Sequence, residues 1–497
     1  MSRQSPPDTK TRPRSYLYAA ILAATILPSS TVMAASDALV ELQAQIDKGH
    51  YKTAKLEISA MQQKEPDHPD NSTLAFEAER MRRIEMEFTI PPEQLLTSIR
   101  RYIPDATEED LSRWNTAGLL EYKIINGEQR YFNKAAYNLV HISDEAAART
   151  ADYRRFTDRA PLYRLHPHHS AVIEAHTGGE APLRQRLAIT YSLTVDADAV
   201  PDGETLRAWI PFPKELPGRQ ENITLLNSTP AEHQLAPADT PQRTIYFEKT
   251  ARAGVPTEFS VEYAFDSLSR YFSIDPAKTE PVDGQALSAF LEERTPHIQF
   301  TPELRALSQR IVGDETNPYR IAQKLFTHVD QIPWAGAREY STIRNISQYA
   351  AHAGHADCGQ QTLLLITLMR MNGIPARWQS GWEFSPESFD TMHDWGEFYL
   401  APYGWMPMDV THGVLESASD AERWFYLGGL DSYRLIFNTD YSQPFTPAKH
   451  HFRSETVDSQ RGEVEWRGGN LYFDQWDYKM QWQPVTAENK NLQTAGQ

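Results

Sequence analysis

The chain has 497 residues, 40% of them hydrophobic and 11% aromatic, which excludes disorder as the default and provides for packed cores. Its formal charge of -17 argues against nucleic acid or anionic lipid as a partner. One cysteine, Cys358, excludes any disulfide within the chain, so burial must supply the stability.

Residues 1–34 read as an export signal. Arg3, Lys10, Arg12 and Arg14 make a basic start, Tyr16 to Leu27 an apolar core, and Val32-Met33-Ala34 a small-residue cleavage site. That core is too short for a stable membrane span; an uncleaved anchor is the alternative. No later stretch reaches 18 apolar residues, so a soluble mature protein, periplasmic or extracellular, is expected. Cleavage takes the charge to about -20 and leaves about 460 residues, enough for three or four domains.

Residues 36–87 predict a helical hairpin and a third helix, from the spacing of Leu39, Leu42 and Ile46 and of Leu56, Ala60 and Met61. Residues 88–145 predict two helices and a hairpin. Pro91-Pro92 opens the first helix, Asp105 or Thr107 caps the second, and Asn126-Gly127 marks the turn. This resembles a winged-helix module, read here as a packing or docking unit because export and acidity argue against DNA. His166, His168, His169 and His176 fall in what reads as a solvated linker, with a metal site as the alternative. Residues 183–275 alternate strictly, as in Leu187, Ile189, Tyr191, Leu193 and Val195, and predict an immunoglobulin-like β-sandwich. Residues 277–437 mix helix and strand, 438–485 read as a β-rich extension, and the last dozen residues as a loose tail.

An odd cysteine in an exported chain is an accident or a thiol kept for its chemistry. Cys358 precedes the apolar run Thr362 to Met371, which Asn372-Gly373 caps and Pro375 stops, so it is expected at a helix N-terminus. There the helix dipole favours thiolate, and free N–H groups can hold an oxyanion. His393 lies in a strand expected over Met392 to Leu400, and Asp409 ends the returning strand from Trp405 to Val410. Pairing Leu400 with Trp405 puts Asp409 opposite Gly396, so a bulge, placed at Pro407, or a shifted turn must bring the carboxylate onto the histidine's face.

Asp357-Cys358, then Gly373-Ile374-Pro375-Ala376-Arg377, resembles the core of the transglutaminase-like superfamily, as do His393-Asp394-Trp395-Gly396-Glu397, Tyr403-Gly404-Trp405 and Asp409. The resemblance implies an α+β fold with a papain-like Cys-His-Asp core: Cys358 as nucleophile, His393 as base and Asp409 as orienting carboxylate. It implies acyl transfer or hydrolysis at peptide or carboxamide bonds, with a peptide or protein substrate and no cofactor. Trp334, Gln360 and Trp395 are the candidate oxyanion or substrate contacts, and Tyr340 could stand in for Trp334. Ala356, Asp394 and Val410 depart from the family's usual glycine, small residue and proline, which bears on access and preference. His412 is a second candidate base. A metal cluster of His352, His355 and Cys358, or a scaffold protein with an inert thiol, are the alternative readings.

Overall fold

The computed structural model describes residues 37–150, 161–282, 285–387 and 389–486. The expected export signal and the expected C-terminal tail fall outside the described residues. Among the described residues no helix is long and apolar enough to cross a membrane.

Helices Asp37–Asp47, Tyr51–Lys64 and Asn71–Glu87 form where expected, the first burying Leu39, Leu42 and Ile46 and the third Leu74, Met81 and Ile84, but the second buries Tyr51, Ala54 and Ile58 and leaves Leu56 and Ala60 of the expected face exposed. Pro92–Ile99 follows, with proline in its first turn. Thr107 caps Glu108–Thr116, its side chain accepting from the Asp110 N–H while Asp110 accepts from the Thr107 N–H. The hairpin pairs Tyr122–Ile125 with Glu128–Tyr131, and Asn126 and Gly127 take the positive φ that its turn requires. One hydrophobic core runs from Leu39 to Ala146 through Ile84, Ile99, Trp114 and Leu139. The boundary expected at 87/88 therefore separates no cores.

The β-rich layer holds two sheets. One orders strands Trp476–Pro484, Arg184–Val195, Thr257–Leu268 and Gln220–Thr229; the other orders Gly469–Leu471, Glu463–Trp466, Thr205–Pro211, Thr244–Thr250 and Gln234–Leu235. Leu187, Ile189, Tyr191, Leu193 and Val195 share their core with Val464, Leu471 and Trp476. The stretch 438–485 is thus no separate extension. Its strands pair with Thr205–Pro211 and Arg184–Val195, so the sandwich is assembled from two stretches separated by the central unit.

The central unit packs helices Pro302–Val312, Pro318–Asp330, Ile346–His352 and Cys358–Met371 with an antiparallel sheet ordered Gly404–Met408, Asp390–Leu400, Ala376–Phe384 and Arg434–Asn438. Helix Cys358–Met371 is buried continuously from Gly359 to Arg370, which is why its sequence is apolar all round instead of along one stripe. Trp382, Phe384, Leu435 and Phe437 of the sheet join the sandwich core, so the two layers share a hydrophobic seam. The histidine-rich stretch is not a solvated linker. It forms helix Pro167–Thr177, docked on the central unit through Val172, a His169–Tyr426 hydrogen bond of 2.9 Å and a Ser170–Glu422 bond of 2.7 Å.

The helical region also docks on the loop that leads to Cys358. Asn138 and Gly336 exchange two hydrogen bonds, of 3.0 and 2.9 Å. Arg344 reaches Glu77 and Asp47, and Arg338 reaches Glu87 and Glu121.

Candidate active site

Asp357 is the N-cap of helix Cys358–Met371. Its Oδ1 accepts from the Gln360 N–H at 3.0 Å, and Gln360 Oε1 accepts from the Asp357 N–H at 3.2 Å. This capping box fixes Cys358 as the first helical residue. Gln360 is therefore a capping residue, almost fully buried and away from the cavity, and not the substrate contact expected of it. A methyl group on Gly359 would overlap the Tyr340 hydroxyl and the Asp394 carboxylate, so only glycine lets them approach the helix start.

The register of the histidine hairpin settles the placement of Asp409. Leu400 pairs with Gly404, not with Trp405, and the pairing then runs without a shift to Gly396 opposite Met408. That single-residue difference carries Asp409 to the face of Trp395 and His393, because alternate strand residues share a face. No bulge at Pro407 is involved.

His393 Nε2 lies 2.8 Å from Asp409 Oδ2, and both side chains are fully buried. An ionised acceptor there places the proton on Nε2, leaving Nδ1 as the basic nitrogen of the neutral ring. Burial alone would push the Asp409 carboxyl up. His393, His412 and Arg434 more than offset it and hold the group well below the usual carboxylate range.

Around this pair lies a buried network that the sequence did not reveal. Arg434 Nη1 donates to Asp409 Oδ2 at 2.7 Å and lies 3.3 Å from Glu383 Oε2, and its fork also binds Asp431. His412 Nε2 lies 2.6 Å from Glu383 Oε2, and Tyr163 donates to Glu383 Oε1 at 3.0 Å. His412 thus serves Glu383 and is not the base facing the sulfur. Glu383, His393, Asp409 and His412 form a cluster of metal-ligating types. The Arg434 guanidinium supplies the positive charge at the carboxylates where a metal ion would sit, so the donor set does not fit one.

Cys358 Sγ lies 3.5 Å from Asp394 Oδ2 and receives the Asp394 N–H, so the sulfur rests against the strand position next to His393. Glu383, which borders the His393 ring, also acts on it, and the sulfur in turn acts on Tyr163. Cys358 and His393 make no hydrogen bond to each other. Burial, then Asp394 and Asp357, push the thiol well above its usual value, against the lowering expected from the helix start. Asp394 is itself pushed up by burial and by Asp458, and Asp357 by burial to about 6. Gln460 donates to Asp394 Oδ1 at 2.9 Å and to the His393 carbonyl at 3.0 Å.

Cys358 opens on a cavity of about 400 Å³ bordered by Lys134 and Tyr137 of the helical region, Trp334 and Tyr340 of the central unit, and Asp458 and Arg461 of the C-terminal stretch. Trp334 therefore borders the cavity that holds Cys358, held by a bridge to Ala356. Trp395 does not: it is wholly buried, donates to Gln379 Oε1 at 2.8 Å and stacks on His393. His352 and His355 do not join Cys358 as ligands; His352 bonds Gln348 and His355 the Ala353 carbonyl.

A helix-borne cysteine beside a sheet-borne histidine–aspartate pair, in a mixed α+β core, defines the class of site. Residues 305–410 match the model of the transglutaminase-like superfamily, and the chain carries a domain of that family. No curated protein matches the chain. Among solved structures it is similar to a candidate cysteine protease from Cytophaga hutchinsonii, 15% identical, covering 61% of this chain and 92% of that one, with a TM-score of 0.40. It is also similar to the periplasmic domain of TgpA from Pseudomonas aeruginosa bound to ethylmercury, 15% identical, covering 49% of this chain and 94% of that one, with a TM-score of 0.22.

Proposed function

We propose that the protein is an exported cysteine enzyme that cleaves peptide-type amides or transfers their acyl group, with Cys358 as nucleophile, His393 as base and Asp409 as its orienting carboxylate. The observation that carries this reading is the buried 2.8 Å His393–Asp409 pair beside a cysteine at a helix N-terminus. In the first step Sγ attacks the amide carbon, the thiol proton passes to His393 Nδ1, and the carbonyl electrons move to oxygen. N–H groups of the first helical turn receive that oxyanion, with Tyr340 and Trp334 at the cavity side. His393 then protonates the leaving amine as the carbon–nitrogen bond breaks. Water resolves the thioester to an acid; an amine resolves it to a new amide. Asp409 holds the ring through Nε2–H and stabilises its charged form in both halves of the cycle.

The test is turnover of a panel of peptides and glutamine carboxamides, with and without an added primary amine, and mass detection of the acyl group on Cys358. Cys358→Ala and His393→Ala should each lower turnover about 10³-fold or more. Turnover unchanged in Cys358→Ala sinks the reading. The carboxylates that crowd the sulfur favour one competitor, a scaffold whose thiol is inert. It predicts no acyl adduct with any substrate and partner binding that survives Cys358→Ala.

A further inference from the structure

We propose that Lys134 is a specificity-determining residue: it reaches from the helical region into the Cys358 cavity and receives a carboxylate that the substrate carries close to the reacting amide. The inference rests on the reading of Cys358 as nucleophile and deepens it by naming the substrate class.

Lys134 comes from outside the catalytic core, yet it lines the cavity. It is the N-cap residue of helix Ala135–Ile142, and its carbonyl accepts from the Asn138 N–H at 2.7 Å. Asn138 in turn grips the Gly336 backbone through its two hydrogen bonds, so the helix start is fixed against the cavity wall. The lysine stem runs over Gly336, where an added methyl group would lie 3.2 Å from Cδ. Its Nζ donates to the Ala337 carbonyl at 3.2 Å. An ammonium has three donors, so two remain for a ligand. The charge of Lys134 is felt at Asp357, next to the cysteine, and at Glu339.

The other charged side chains of the cavity wall are already engaged. Arg338 is buried, bonds the Thr342 carbonyl at 2.9 Å and faces Glu87 and Glu121. Arg461 binds Glu339 and Glu455, each at 2.8 Å. Asp357 accepts from the Gln360 N–H and the Tyr340 hydroxyl. Asp394 accepts from the same hydroxyl and from the Gln460 carboxamide, and it shares a hydrogen bond with Asp458. Asp394 and Asp458 are only 2% and 4% exposed, and burial raises their affinity for protons, so their repulsion of an incoming anion is weak. Lys134 is exposed, and among the described residues it forms no ion pair. A substrate carboxylate that meets it gains a charge-assisted hydrogen bond. A cationic substrate group would meet repulsion at the same place.

The first probe is a pair of alkylating agents of similar size, iodoacetate and iodoacetamide. In both, the sulfur of Cys358 displaces iodide from a methylene carbon, and the reagents differ in charge. The ratio of their rates cancels any change in the thiol itself. Lys134→Gln, which keeps a donor for the Ala337 carbonyl, should lower the iodoacetate-to-iodoacetamide ratio about threefold, and Lys134→Glu about tenfold. Lys134→Arg should keep the wild-type ratio, and the differences should shrink at high salt. A ratio indifferent to the charge at position 134 overturns the proposal, and so does a cysteine that neither reagent reaches. The second measurement is kcat and KM for peptides in matched pairs. One pair sets a C-terminal carboxylate against its methylamide, the other a glutamate beside the reacting amide against a methionine, which separates the two sources of carboxylate. In one pair or the other the carboxylate member should be preferred about fivefold through KM, and Lys134→Gln should remove that preference. A loss of structure would affect both members alike. Equal values within both pairs overturn the proposal; if no peptide turns over, the alkylation ratio decides alone. Failure of the catalytic reading shows separately, as turnover that survives Cys358→Ala.

Discussion

The two sides of the site handle buried acid in opposite ways. Behind His393, Asp409, Glu383 and Asp431 each meet a guanidinium or an imidazole and stay ionised despite complete burial. Around Cys358, Asp357, Asp394 and Asp458 meet hydroxyl, amide and carboxyl groups, and burial drives their affinity for protons up. Pairing and protonation are the two ways to keep a carboxyl group out of water. The first fixes a charge at every working pH. The second produces a surface whose charge follows pH, and that is the surface facing the cavity.

The comparison breaks most readily at Arg434. Arg434→Met leaves three carboxylates without their shared cation and should cost about 3–5 kcal/mol of stability, read as a drop in denaturation midpoint. A loss under about 1 kcal/mol would mean that pairing is not what holds that side. Gly359→Ala tests the sulfur side by geometry. The added methyl must displace the Tyr340 hydroxyl or Asp394, so about 1–3 kcal/mol of stability should go, with turnover falling more steeply than stability. Unimpaired turnover would show that this contact does not set the site. The smallest effect is at Asp357. Folding raises its pKa to about 6, so the folded state holds the proton more tightly than the unfolded one. Its contribution is most favourable below the unfolded value of about 3.9 and is lost as pH rises through about 6. Asp357→Asn keeps the cap and removes the titration, so its stability relative to wild type should rise between pH 4 and 7 in paired denaturation curves. A difference that stays flat across that range would rule out the raised carboxyl.

What the sequence made legible was local. The apolar run Thr362 to Met371 with Asn372-Gly373 after it bounded the Cys358 helix, and Asn126-Gly127 fixed its hairpin, because caps and turns act over a few residues; the cap that Asp357 and Gln360 make went unread. Asp409 was legible as a residue but not as a geometry, since one residue of turn length decides which face it takes. Glu383 lies in strand Ala376–Phe384, but its role depends on Arg434, which is brought in by the far edge strand of the sheet. Gln460 and Asp458 were hidden for the same reason: they reach the cavity only because the C-terminal strands close the sandwich. Asp394 carried a signal, as a carboxylate where the family resemblance leads one to expect a small side chain.

That strand closure has a consequence for how the protein comes into being. Residues 454–461 supply one wall of the cavity, and the strands that hold them in place, Glu463–Trp466 and Trp476–Pro484, follow the cysteine, the histidine and the aspartate in the chain. A chain interrupted before Trp476 carries the cysteine, the histidine and the aspartate but not the finished chamber. The cavity is therefore completed only when those strands have paired with the rest of the sandwich, whatever the state of the three residues beneath it.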